Sequence, residues 1–100
     1  MHARMSTLEM DPARIDEALA QLEEEDLPKI RDLDGFKGFT VFVDRSSGKV
    51  VGTSYWATQE QMQASEEAGQ SARQRAAETG GVTSAPQVER LEVAIDTFVG

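Results

Sequence analysis

Two short apolar segments, residues 36–44 and 49–57, are joined by only the four turn residues Arg45-Ser46-Ser47-Gly48, and this restricts the fold more than anything else in the chain. Phe and Val dominate the first segment, and both read as strands. A four-residue connection forces them into an antiparallel hairpin. With Asp44 opposite Lys49, Phe42 faces Val51, Thr40 faces Thr53 and Gly38 faces Tyr55. On the alternate parity Val43 faces Val50, Val41 faces Gly52 and Phe39 faces Ser54. Successive side chains point to opposite sides of a sheet. One face therefore carries Phe39, Val41, Val43, Val50 and Trp56, and the other carries Phe42, Val51 and Tyr55 with two threonines. Both faces are apolar.

The flanking sequence supplies two helices and two more strands. Residues 2–10 predict a first strand of mediocre alternation, with Ala3, Met5 and Thr7 against Arg4, Ser6 and Leu8. Asp11-Pro12 opens a helix: the Asp side chain accepts from first-turn amides, and Pro at the first helical position loses only a donor without a partner. Ile15, Ala18, Leu19 and Leu22 share one apolar face. Pro28 predicts a kink or restart near Asp26, and the helix ends at Asp34-Gly35. Thr58 with Gln61 three residues later opens the second helix, which runs to about Thr79, where Gly80-Gly81 supplies a left-handed stop. Its inner face beyond Met62 is small: Ala68, Gly69, Ala72 and Ala76. Residues 87–99 predict a fourth strand. The order is ferredoxin-like, β-α-β-β-α-β, an α+β fold with a four-stranded antiparallel sheet in one unit spanning residues 1–100. Two helices cover one side of such a sheet. The remaining face, with Phe42, Val51 and Tyr55, predicts a homodimer joined sheet to sheet into an α/β barrel.

Charge and composition exclude several functions. There are 18 acidic against 10 basic residues, a net charge of −8, and the basic residues form no stripe. A nucleic-acid footprint is missing. No cysteine occurs and His2 is the sole histidine, so disulfides, thiolate nucleophiles and Cys- or His-cluster metal sites are not expected. No apolar run is long enough to span a bilayer, and no leader pattern is visible; the expectation is a cytoplasmic protein without membrane contact. The run Glu23-Glu24-Glu25-Asp26 reads as a solvated helix surface.

Three stretches carry a resemblance. The helix-to-strand junction Pro28…Asp34-Gly35-Phe36-Lys37-Gly38, the strand Gly52-Thr53-Ser54-Tyr55-Trp56 running into a Thr-capped helix, and the closing Val88-Glu89-Arg90-Leu91-Glu92-Val93 together resemble antibiotic biosynthesis monooxygenase domains. That resemblance implies the dimeric barrel and a small-molecule pocket between sheet and helices. It also implies one of three roles: oxygenation of polyketide anthrones without a cofactor, oxidative haem breakdown, or no assigned role. The haem-degrading branch uses an Asn on the first strand with a Trp and a His on the second helix. This chain has no Asn, and neither Trp56 nor His2 lies on that helix, so this branch is rejected. Oxygenation without a cofactor asks for a dry pocket, orientation and the handling of one proton, because a deprotonated phenolic substrate itself delivers an electron to dioxygen.

The candidate substrate-binding residues are Trp56, Phe39, Ser54, Met62 and Ser65, lining a mostly apolar pocket for a small aromatic ligand. Three of them also have a purely structural reading. Trp56 beside a helix cap is ordinary core, Met62 fills gaps, Ser54 satisfies a backbone group, and the small helix face permits close packing. No catalytic acid–base pair stands out. His2 reads as frayed and solvated, and Arg4 and Arg73 could either orient an anionic substrate or lie on the surface. A non-catalytic dimeric module is therefore carried alongside the monooxygenase, with an isomerase or decyclase on the same scaffold as a third option.

Overall fold

A computed structural model describes residues 1–99; Gly100, the last residue of the expected unit, lies outside them. Four strands, β1 (His2–Glu9), β2 (Phe36–Asp44), β3 (Lys49–Trp56) and β4 (Gln87–Glu92), form one antiparallel sheet in the order β2-β3-β1-β4. The helices α1 (Ile15–Gln21), α2 (Leu27–Arg31), α3 (Gln59–Ala64) and α4 (Glu66–Gly80) fill the two crossovers. The fold is α+β and ferredoxin-like, as expected.

The hairpin has the register read from its turn, from Asp44 opposite Lys49 to Gly38 opposite Tyr55, with one irregularity at Lys37 before Phe36 pairs with Trp56. Its inner parity packs under the helices. Leu8, Met10, Ile15, Ala18 and Val50 form one buried cluster, and Ile30, Trp56, Met62 and Ala72 form a second. On β1 the inward set is Arg4, Ser6 and Leu8. A strand with a polar half facing the core explains its weak alternation.

Three boundaries differ from expectation. The first helix restarts near Asp26 as expected, through a turn of wider π-type winding, Leu22–Asp26, with Pro28 in the first turn of α2, where its missing amide costs little; but it ends at Arg31, short of Asp34-Gly35. Its entry, capped by Asp11 accepting from the Ala13 amide, is a short 3-10 turn. The second helix is split at Ser65. The Ser65 hydroxyl donates to the Met62 carbonyl at 2.6 Å, drawing that carbonyl into a side-chain bond that bends the backbone. Finally, β4 stops at Glu92 rather than Val99, because its partner β1 ends opposite it at His2; Val93 makes one last bond to the Met1 carbonyl. The expected caps do form, with Thr58 accepting from the Gln61 amide and Gly81 at φ +71 closing α4.

Gly48 ties the hairpin turn to the end of β1. Its amide donates to the Asp44 carbonyl and its carbonyl accepts from the Met10 amide. Its φ is +84, and a Cβ there would run into the Met10 carbonyl oxygen. Replacing Gly48 by Ala should lower stability by about 2–3 kcal/mol in urea unfolding. The control Gly38→Ala, which meets open space, should change it by less than about 1 kcal/mol.

Candidate functional site

The two core clusters do not close against each other. Between them, under α1 and α4, lies a cavity of about 70 Å³. Its walls are mostly apolar, from Leu8, Met10, Leu22, Ile30 and Val41, and its polar groups are Arg4, Ser6, Ser54 and Arg73. A wider groove bordered by Asp34, Thr58, Glu60 and Gln61 is a depression among mostly exposed residues. The cavity is the better candidate, because it lies within the core, walled mainly by apolar side chains with a few polar residues at its border.

Arg4 organises its polar end. The residue is 3% exposed. Its Nη1 donates to the Met62 carbonyl at 3.2 Å and to Ser65 Oγ at 3.1 Å, and pairs with Glu66 Oε1 at 3.2 Å. The guanidinium carbon stands 5.9 Å from the Trp56 ring centroid, within cation–π range. Gly69 on α4 makes room for it, since a Cβ there would lie 2.5 Å from Arg4 Nη2. Space left by the small helix face is thus taken up in part by a strand guanidinium. Burial pulls the Arg4 pKa down, while Glu66 opposes that shift.

Arg90 sits opposite Arg4 across the β1–β4 pair. Like charges in that position repel. Glu66 relieves them: Arg90 Nε and Nη2 donate to its two oxygens at 2.6 and 2.8 Å. The Glu66 carboxyl is held down to about 2, first by the Arg90 hydrogen bonds and then by the Arg4 charge. Arg73, one helical turn beyond Gly69, also borders the cavity; burial and the charge of Arg4 lower its pKa.

The five predicted site residues divide into two groups. Phe39 and Ser54 line the cavity. Trp56 stands behind Ser54, fully buried, donating its indole N–H to Ser54 Oγ at 2.9 Å and meeting Phe36 edge-to-face at 5.6 Å. Met62 packs with Trp56, and Ser65 holds Arg4. These three surround the polar end without lining the cavity. Ser54 accepts from Trp56, which leaves its own O–H available as a donor. His2 is not frayed: it lies in β1, paired with Trp56 and Glu92, and away from the cavity. Glu66 and Arg90 escaped the sequence reading. The available signal was the parity of β1, which puts Arg4 on the face of Leu8 and so demands a buried counterion.

Among the described residues no cluster of His, Cys, Asp and Glu has the makings of a metal site, and no helix is long and apolar enough to cross a membrane.

Losing the Glu66 carboxylate should leave Arg4 buried beside a neutral group. Glu66→Gln should cost about 1–3 kcal/mol at neutral pH. Because the folded carboxyl sits near 2, below its ordinary 4.5, its contribution is complete above pH 4.5 and fades as pH falls from there toward 2. Unfolding curves across that window should show a smaller decline for the variant than for the wild type.

No family model matches the chain. A curated relative, the uncharacterized protein Rv2557 of Mycobacterium tuberculosis, is 37% identical over 94 residues, 94% of this chain. The chain spans about two fifths, 41%, of that relative's length. Among solved structures, the monooxygenase from the gene ActVA-Orf6 of Streptomyces coelicolor, in complex with the ligand nanaomycin D, superposes with a TM-score of 0.79 at 14% identity, over 99% of this chain and 92% of the other. The haem-degrader MhuD of Mycobacterium tuberculosis, with two haems bound in its active site, gives 0.73 at 15% identity, over 98% and 100% of the two chains. An antibiotic biosynthesis monooxygenase gives 0.69 at 17% identity, over 95% and 100%. With its four-stranded sheet, its crossover helices and a cavity between the two layers, the chain has the ferredoxin-like fold of the antibiotic biosynthesis monooxygenase-like proteins.

Proposed function

We propose that the chain binds a small aromatic, polyketide-like compound between its sheet and helices and acts on it as a cofactor-independent monooxygenase. One observation carries this reading: an apolar cavity whose only polar groups, Arg4, Ser6, Ser54 and Arg73, lie among otherwise apolar walls. The fold shared with the nanaomycin-bound monooxygenase supports it. The reaction needs little from the protein. A deprotonated hydroxyaromatic methylene gives up electrons to dioxygen, one oxygen atom becomes its carbonyl, and the other leaves as water with the two hydrogens. The chain's part is to hold the ring, exclude water and offer the Ser54 hydroxyl as a donor.

Size favours a second reading. At about 70 Å³ the cavity has under half the volume of a roughly 150 Å³ cavity known to take benzene. A ring enters only if rim side chains such as Met10 and Leu22 move. Fully buried Trp56 meanwhile behaves as ordinary core. A non-catalytic module with a filled interior fits both facts. Trp56→Ala would simply hollow the core, so the decisive variant fills the cavity from its edge. Ala76→Leu, on the half-buried side of α4, should weaken binding of a dihydroxyanthrone at least tenfold and slow oxygen uptake in metal-free buffer, with melting temperature preserved. Undiminished binding would discard the cavity as the site, and absent oxygen uptake by the wild type would favour the inert module.

The working unit in this proposal is a homodimer joined through the outer sheet face. Phe42 there is 60% exposed, while Val51 and Tyr55 are partly covered, Tyr55 in part by Phe98 at 5.4 Å. Covering each such side chain contributes roughly 1.5–3 kcal/mol. Sedimentation at micromolar concentration should give a dimer, and Phe42→Glu should convert it to a monomer.

A further inference from the structure

Three guanidinium groups, those of Arg4, Arg73 and Arg90, gather around the single carboxylate of Glu66. Glu66 is fully engaged: Arg90 takes both of its oxygens and Arg4 shares one. The remaining needs of Arg4 are met by the Met62 carbonyl and Ser65 Oγ. Arg73 has no such arrangement. Among the described residues no carboxylate pairs with it and no side-chain hydrogen bond reaches it, although it is half-buried and borders the cavity. A guanidinium stays charged at any working pH, and a partly buried cation whose nearest carboxylate is already bonded to two other guanidinium groups is left short of compensation. Its planar array of donors matches a planar oxyanion. On α4 it lies one turn after Gly69, whose side is filled by the Arg4 guanidinium, and three residues before the small Ala76, which borders the same cavity.

We propose that Arg73 is the anion-recognition residue of the cavity, selecting aromatic ligands that carry a carboxylate or an ionised phenol and seating that group between its guanidinium and the Ser54 hydroxyl. This rests on the small-ligand reading above and narrows it to anions. Arg4 is fixed by Glu66 and the α3–α4 junction, so it supplies a background of positive charge while Arg73 supplies the bonds. The chain as a whole is acidic, with a net charge of −8. An anion is therefore drawn by this local cluster against the general field of the molecule, which makes the preference specific to the site.

Matched probes test this without relying on any variant. The acids benzoate and 2-naphthoate are compared with their neutral amides by calorimetry, and the one indole N–H resonance, that of Trp56, reports occupancy through Ser54. The wild type should bind each acid at least tenfold more tightly than its amide. Arg73→Gln should bring acid and amide within about threefold, and Arg73→Lys should retain part of the preference. Equal affinity of acid and amide in the wild type, or an acid preference that survives Arg73→Gln, would overturn the anion assignment and leave the ligand site standing. Failure of all four probes to bind or to move the Trp56 resonance would overturn both.

Discussion

A buried guanidinium on an inward-facing strand position sets the terms for everything around it. Arg4 leaves water only because three kinds of acceptor meet it: a carbonyl freed at a helix break, a serine hydroxyl, and a carboxylate. Those acceptors lie on α3, at the junction and on α4, so one side chain fastens the central strand β1 to the second crossover. Break any one and a charge is stranded in a region of low polarity, where the penalty exceeds the gain of an ordinary hydrogen bond. The helix split at Ser65 is part of the same arrangement. The serine that bends the chain is also the one that accepts from Arg4.

This anchoring also divides the interior. On one side of Arg4 lies the Trp56 cluster, and on the other the Leu8 and Val50 cluster begins. Between them the sheet and α4 are held apart by a charged group that cannot collapse as a methyl would. The cavity lies beside that charged group, which lines it but has its own hydrogen bonds met by the second crossover. Trp56 connects the two regions through its bond to Ser54.

The legible parts of the fold were those written in local chemistry. The hairpin register followed from counting out from Arg45-Ser46-Ser47-Gly48, because a short turn leaves no freedom for strands to slide. Asp11, Thr58 and Gly81 declared their helix ends by side-chain chemistry or by a positive φ. Features that depend on partners distant in sequence were not legible. Residues 93–99 have strand-like composition, yet a strand needs a neighbour, and β1 provides none past His2. Pro28 marked the restart near Asp26, but not the wider winding of Leu22–Asp26 that leads into it, where Asp26 meets Arg75 at 3.2 Å. For the site, Phe39 and Ser54 came from strand parity and line the cavity. Met62 and Ser65 were expected to line it because the helix face was small, whereas the freed volume beside them is shared with Arg4 from across the sheet, a contact spanning about sixty residues that no local pattern records.

Gly69 shows how the character of this interior could change hands. Bulk at the helix position and bulk at the strand position compete for one volume. Exchanging them, a large apolar residue on α4 against a short one on β1, would keep the packing total and delete the cation. A lineage needs only that paired swap to make this part of the interior uncharged, on an unaltered backbone. The polarity of this interior is set by which layer of the sandwich contributes the mass.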